Sequence, residues 1–181
     1  MNDILLIMRY LKTTIIVLSV IFSATEVKSQ STVAIGIKIG NKAPEIVENS
    51  SNGRLVKLSS LSGKIVLIDF WASWCKPCRN ENPFVVKAYG KYKDSRFKGG
   101  KGFTVFSVSL DRDLNAWKKA IQVDHLTWEN HVCVPNGTAE YVQTYAIRTI
   151  PTNFLIDGNG VILATNLRGA AIEQKLASLK K

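Results

Sequence analysis

The strongest constraint on the fold is a pair of cysteines, Cys75 and Cys78, spaced as C-x-x-C directly after an apolar run. Residues 65–70 are apolar and rich in β-branched side chains, which predicts a strand buried on both faces. Further on, apolar residues recur at i, i+4 spacing and predict an amphipathic helix, namely Phe84, Ala88 and Tyr92, with Val85 and Tyr89 beside them. The cysteines are therefore expected where a strand turns into a helix.

This position favours an ionised sulfur. Unpaired amide N–H groups and the positive end of the helix dipole stabilise an anion at a helix N-terminus. Lowering the pKa of a thiol from about 8.5 to about 7 raises the fraction present as thiolate at pH 7 from about 3% to about half. This shift requires that the thiolate be stabilised by about 2 kcal/mol. The helix end and the ammonium of Lys76 together can supply that energy. We therefore expect Cys75, at the mouth of the helix, to be the attacking sulfur.

Cys78 lies about one turn further along the predicted helix, where it is shielded and close enough to form a disulfide with Cys75. Pro77 fits the first turn, because its missing N–H has no partner there. The alternatives are a structural disulfide or a zinc half-site. Zinc needs a second ligand pair, and the candidates His125, His131 and Cys133 lack a standard spacing. Because this second ligand pair is missing, we predict redox chemistry with no metal and no other cofactor.

Residues 1–29 are predicted to be a secretory signal peptide. Arg9 and Lys12 precede an apolar stretch over residues 13–24, and small residues follow, with a plausible cleavage site before Gln30. The alternative is an uncleaved segment that anchors the protein in the membrane. Export to the periplasm would place the cysteine pair where a disulfide can persist.

Residues 30–181 are predicted to form one domain, with no interior linker long enough to divide it. We also predict that Met8 is the initiator, because a start there gives a more usual charged n-region than a start at Met1. The single remaining thiol, Cys133, is expected to be a buried and inert strand residue. A redox role for Cys133 towards another chain is the open alternative.

The chain is basic, with a formal net charge of +10. Basic residues concentrate in a glycine-containing stretch that predicts a helix end and a loop, at Lys91, Lys93, Arg96, Lys98 and Lys101. No aromatic stacking platform accompanies them, so the pattern predicts a solvated face and no nucleic-acid partner.

The remaining elements follow from local patterns. Strict alternation at Val33, Ile35, Ile37 and Ile39 predicts an edge strand, and residues 45–47 and 55–57 predict a hairpin around a turn at 49–53. Strands are predicted at 103–110, 131–134, 152–156 and 161–165, the last two joined by the turn at 157–160. Helices are predicted with Leu114, Trp117 and Ile121, with Ala139, Val142 and Tyr145, and with Ile172, Leu176 and Leu179; their expected caps are Asp111 or Asp113 for the first and Thr138 for the second.

This order of elements predicts an α/β fold, a mixed central sheet with helices on both faces and an N-terminal β-hairpin extension. Trp74-Cys75-x-x-Cys78, its lead-in at 69–72, Pro83 and Ile150-Pro151-Thr152 together resemble the thioredoxin superfamily. Segments 40–44, 58–64, 78–83 and 150–160 more narrowly resemble the exported TlpA/ResA-like thioredoxins. The resemblance runs from about residue 38 to residue 169.

The resemblance implies a role for each matching residue. Cys75 is the nucleophile and Cys78 the resolving thiol. Pro151 should follow a cis peptide bond and face the cysteines, while the main chain of Ile150 pairs with an extended substrate segment. Trp74 is expected to contact substrate, and so are Lys76 and Pro77.

Two acids complete the predicted site. Asp69 takes the place of the buried acid of ordinary thioredoxins, where many TlpA-like relatives have a neutral residue. Its pKa should be raised, and it could take the proton of Cys78; a purely structural acid is the alternative. Glu81 recurs in ResA-like members, which implies that it tunes the cysteine pair or receives a proton; an acid that faces solvent is the alternative. Pro83 is expected to kink the helix.

The resemblance implies an exported thiol–disulfide oxidoreductase that exchanges disulfides with protein substrates, in the reducing direction that the Lys76-Pro77 dipeptide favours. Such a reductant needs a membrane-embedded thiol electron donor, and apocytochrome c maturation is one role of the family. We expect a monomer, without stable membrane insertion once the signal is cleaved. The alternatives are a peroxiredoxin-like thiol peroxidase, which places threonine where Ala72 stands, and a non-catalytic binding module.

Overall fold

A computed structural model describes residues 33–50, 52–135 and 138–181. The predicted signal peptide, its cleavage site and the proposed start at Met8 lie outside these residues. Within the described ranges, no helix has the length and apolar character needed to cross a membrane.

The described residues form strands β1–β9, helices α1–α4 and one 3₁₀ helix. In chain order these are β1 (Val47–Asn49), β2 (Leu55–Lys57), the 3₁₀ helix (Leu58–Leu61), β3 (Ile65–Trp71), α1 (Lys76–Tyr92), β4 (Arg96–Phe97), β5 (Gly100–Lys101), β6 (Phe103–Ser109), α2 (Leu114–Val123), β7 (Asn130–Cys133), α3 (Glu140–Thr144), β8 (Thr152–Ile156), β9 (Ile162–Thr165) and α4 (Ala170–Leu179).

A five-stranded sheet in the order β7-β6-β3-β8-β9 forms the centre of the fold. Strand β3 pairs in parallel with β6, and β6 pairs in parallel with β7, whereas β8 is antiparallel to both β3 and β9. All seven residues of β3 are buried, as its apolar sequence predicts. The predicted mixed central sheet is therefore confirmed.

Two apolar clusters cover the two faces of this sheet. Ile65, Leu67 and Trp71 pack with residues of α1, α2 and α4. Val66, Ile68 and Phe70 pack on the opposite side with residues of α3, β2 and the 3₁₀ helix. Because side chains alternate along a strand, Asp69 lies on the α1 face together with Leu67 and Trp71.

The predicted edge strand at residues 33–39 is wrong. The segment bends, and its pairing is limited to an isolated bridge between Ile35 and Lys42. Gly40 has a φ of +89°, which reverses the chain before a second strand can form beside it. Ile35 is 74% exposed, so the alternation of apolar residues does not mark a buried face here.

The predicted N-terminal hairpin is confirmed as β1 and β2, which pair antiparallel. The basic stretch after α1, however, is not simply a helix end and a loop. It contains a second short hairpin, β4–β5, in which Phe97 is buried. A single aromatic residue among lysines and glycines gives no alternation from which to predict a strand.

Two predicted details of the helices are corrected, and one of two predicted caps is confirmed. Phe84 is 45% exposed, because the buried stripe of α1 runs through Val85, Ala88 and Tyr92 at i, i+3, i+7. Asp113 caps α2, accepting from two backbone N–H groups, so Asp111 is free for another role. The N-cap of α3 is Ala139 instead of Thr138, with no side-chain cap bond.

Candidate active site

The cysteine pair lies between the end of β3 and the start of α1, as its sequence position predicts. Cys75 is the N-cap of α1, and its Sγ accepts a hydrogen bond of 3.2 Å from the backbone N–H of Cys78. The two sulfurs form a disulfide, with their Cα atoms 5.2 Å apart. Cys75 is 5% exposed and Cys78 is 1% exposed. An amide that points at the first sulfur stabilises a negative charge there once the disulfide is reduced.

The loop before β8 approaches this sulfur from the other side. The Ile150–Pro151 peptide bond is cis, which confirms the prediction made for it. The carbonyl oxygen of Ile150 lies 3.8 Å from Sγ of Cys75. The main chain of this loop is therefore next to the sulfur predicted to attack.

Asp69 is buried in the middle of β3 on the face that packs against α1. No described residue donates a hydrogen bond to its carboxyl group. Burial raises the pKa of Asp69 to about 7; the positive charge of Arg168 opposes this rise, and the negative charge of Glu81 adds to it. Near neutral pH this carboxyl group can therefore either accept or donate a proton.

A comparison of the sequence with models of protein families shows which family has this site. The sequence model described as Redoxin matches residues 38–180. The chain belongs to the Redoxin family. The thiol-disulfide oxidoreductase ResA of Bacillus cereus is 32% identical to this redoxin over 145 residues, which cover 80% of this chain and 79% of the relative. The ResA of Bacillus subtilis is 28% identical over 130 residues, covering 70% of this chain and 66% of the relative.

Solved structures agree with this assignment. The thioredoxin domain of a thiol-disulfide oxidoreductase from Bacteroides vulgatus superposes with a TM-score of 0.71 at 35% identity, covering 79% of this redoxin and 98% of that chain. A putative thiol:disulfide interchange protein DsbE from Chlorobium tepidum gives 0.68 at 32% identity, with coverages of 79% and 98%. This redoxin is therefore a thiol–disulfide oxidoreductase of the TlpA/ResA-like group, with a thioredoxin-like fold.

The residues predicted to contact substrate have accessible side chains. Trp74 is 66% exposed, and Lys76 and Pro77, the first two residues of α1, are exposed as well. Ile150 and Pro151 are partly exposed. The residues next to Cys75 thus offer a surface to another polypeptide, although their contact with substrate stays a prediction.

Glu81 is neither fully buried nor simply directed to solvent. Its Oε2 accepts a 2.7 Å hydrogen bond from the backbone N–H of Gly169, the N-cap of α4. The carboxylate therefore joins α1 to the start of α4 while its charge acts on Asp69. The structure thus favours the tuning role for Glu81 over the solvent-facing one, without testing it.

Asp111 and Arg168 are two residues near the site to which the sequence patterns assign no role there. The sequence marks Asp111 only as a candidate helix cap. It is 1% exposed, and its carboxylate accepts from the backbone N–H of Ser73 at 2.8 Å, from the hydroxyl of Ser73, and from the hydroxyl of Ser109 at 2.6 Å. Asp111 therefore fixes the loop that carries Trp74 and Cys75 to the end of β6.

We expect Asp111→Ala to destabilise the oxidised protein by about 3 kcal/mol, since it leaves three donors without their buried acceptor. Urea unfolding followed by circular dichroism measures this change. The matched control is Asp113→Ala, which removes only the cap of α2 and should cost about 1 kcal/mol. Equal losses in the two variants would contradict the anchoring role of Asp111.

A second polar cluster fixes the first turns of α1. The guanidinium of Arg79 pairs with the carboxylate of Asp124, the C-cap of α2, and also donates to the carbonyl of Ser73 at 3.1 Å. The side-chain amide of Asn82 donates to the same carboxylate at 2.6 Å. Through Ser73, which also donates to Asp111, these contacts help to hold the loop before Cys75 in place.

Cys133 and His131, both on β7, are buried and make contacts of their own. Cys133 is buried, and its Sγ lies 3.3 Å from the carbonyl oxygen of Asp111. Burial raises the pKa of the Cys133 thiol, which keeps it protonated and unreactive. His131 stacks on Trp128, and burial lowers its pKa to about 4. The predicted burial of Cys133 is confirmed, and a redox contact with another chain is disfavoured.

Proposed function

We propose that this redoxin is an exported enzyme that reduces disulfide bonds of protein substrates in the periplasm. The observation that carries the proposal is the environment of Cys75. Its sulfur caps α1 through the amide of Cys78 and lies beside the carbonyl of Ile150, at the cis-Pro151 loop. A thiolate is stabilised at this position, next to a main-chain segment that can bind an extended substrate.

The exchange proceeds in two displacements. The thiolate of Cys75 attacks one sulfur of the substrate disulfide, so that a mixed disulfide forms and the other substrate sulfur leaves as a thiolate. Cys78 then loses its proton to Asp69 and attacks the sulfur of Cys75. The Cys75–Cys78 disulfide forms, the second substrate thiol is released, and two electrons have passed from the enzyme to the substrate.

Substrate recognition rests on the main chain as well as on side chains. The backbone of Ile150 is proposed to pair with an extended segment that flanks the substrate disulfide, and Trp74, Lys76 and Pro77 to contact the same segment. Backbone pairing tolerates many side chains, so it suits an enzyme whose clients share a disulfide and not a sequence.

The reducing direction requires a supply of electrons outside the cytosol. We propose a membrane-embedded thiol donor, which would reduce the Cys75–Cys78 disulfide by the reverse exchange. The predicted signal peptide supports export, and the Lys76-Pro77 dipeptide supports the reducing direction. Without stable membrane insertion after cleavage, a monomer could move between donor and clients.

The redox state of the protein in exporting cells tests the direction. After an acid quench and denaturation, a thiol-specific label should add to all three cysteines of the reduced form but only to Cys133 of the oxidised form. We expect a periplasmic protein that begins at Gln30 and carries mainly three labels. A mature protein that carries mainly one label would contradict the reducing direction, and retention in the cytosol would contradict export.

A further inference from the structure

Arg168 lies between β9 and α4, in a loop that reaches the active site. Its guanidinium donates through Nη1 to the carbonyl of Leu167 at 2.8 Å and through Nη2 to the carbonyl of Pro151. We propose that Arg168 is a positioning residue of the exchange reaction, which holds the carbonyl of the cis-proline and places a positive charge near the buried carboxyl group of Asp69. Its effect on the reaction rests on the proposed function.

The loop that carries Arg168 is held from both sides. The side-chain amide of buried Asn153, on β8, donates to the carbonyl of Leu167 at 2.9 Å and accepts from the N–H of Leu167 at 2.8 Å. On the other side, the N–H of Gly169 donates to Glu81 on α1. With both neighbours fixed, the backbone of Arg168 has little freedom, so its guanidinium has a defined place beside Pro151.

The charge of Arg168 is not neutralised by its direct partners. Both of its hydrogen-bond acceptors are backbone carbonyls, and no carboxylate of the described residues lies within ion-pair distance of it. Arg168 is only partly exposed, so solvent screens its charge incompletely. This uncompensated positive charge acts on a buried acid of the site.

That acid is Asp69, which pairs across β3 and β8 with Asn153, the residue that holds Leu167 next to Arg168. The charges acting on Asp69 come from two elements. Glu81 on α1 opposes ionisation of Asp69, and Arg168 in the β9–α4 loop favours it. Cys78 on α1 is the thiol that titrates on the same face once the disulfide is reduced. Removing the charge of Arg168 leaves burial and Glu81 unopposed, so Asp69 should ionise only at higher pH.

The test uses the oxidised full chain, in which Cys75 and Cys78 cannot titrate. The carboxyl carbon of Asp69 is followed by NMR as a function of pH. Arg168→Gln and Arg168→Met, the second of which retains an apolar stem, should each raise the midpoint by about one pH unit. Arg168→Lys, which retains the charge, should stay near the wild type, and so should Arg96→Gln, which removes the same charge from β4. An unchanged midpoint in both neutral variants would overturn the proposal.

The second arm measures the pH profile of insulin disulfide reduction. Its acid limb should move to higher pH in both neutral variants and recover in Arg168→Lys. A purely structural role would lower the thermal midpoint of all three Arg168 variants alike and leave the titration unmoved, which counts against the proposal. The titration needs no substrate, so a wild type that fails to reduce insulin would contradict the proposed function and not the role of Arg168.

Discussion

Cys78→Ala is expected to turn the enzyme into a trap that accumulates mixed disulfides with its substrates through Cys75. The variant retains the backbone N–H of residue 78, which caps the sulfur of Cys75, so the attacking thiolate stays stabilised. The second displacement, however, has no sulfur to carry it out. Turnover should therefore fall by more than about 1,000-fold, while the first step continues.

The trap is measured in exporting cells by affinity purification without a reductant, followed by electrophoresis with and without dithiothreitol. Cys75→Ala is the control that should form no mixed disulfide, because the attacking sulfur is missing. Cys133→Ala should behave as the wild type in this assay, since that thiol is buried away from solvent. Captured proteins that resist dithiothreitol, or capture by Cys75→Ala equal to that by Cys78→Ala, would support a non-catalytic binding module instead.

The position of this cysteine pair could be predicted because its causes are local. An apolar run, a C-x-x-C spacing and a proline in the first helical turn lie within one continuous stretch, and the structure forms β3 and α1 there. Another element with a clear local pattern was also predicted correctly. The β8–β9 hairpin follows from a turn sequence between two β-branched runs, and it is present.

The supports of the site could not be predicted in the same way. Asp111 reaches Ser73 across 38 residues, and Arg168 reaches Pro151 across 17. A single polar side chain gives no periodic pattern, so the sequence does not indicate which group it will hydrogen-bond. The error at residues 33–39 has the opposite cause, since the alternation there is clear but the bend at Gly40 leaves the segment without a neighbouring strand.

Asp69→Asn is expected to stabilise the fold at high pH. The pKa of Asp69 is raised from 3.8 to about 7 by burial, so between these values the folded protein binds a proton that the unfolded chain has lost. Stability from this group therefore falls as pH rises from about 4 to about 7 and stays low above that range. Asparagine carries no charge to bury, so relative to the wild type the variant should gain up to about 4 kcal/mol between pH 4 and pH 8.

The same substitution should slow the reaction. Without a carboxylate to take the proton of Cys78, resolution of the mixed disulfide should be about 100-fold slower at pH 8, and the acid limb near pH 7 should disappear. Urea unfolding at several pH values and stopped-flow resolution of a preformed mixed disulfide measure the two effects. The matched control is Asp94→Asn at an exposed position just after α1, which should change neither.

The two measurements on Asp69→Asn separate the roles that this acid can have. A stability gain with unchanged resolution would make Asp69 a buried acid without a part in the chemistry. Slower resolution with a stability difference that is constant across pH would mean that its carboxyl group is not held in the protonated form by burial. Both effects together would show that one buried carboxyl group lowers the stability of the folded protein and also serves as the base for Cys78. The destabilising acid is then explained by its role in the reaction.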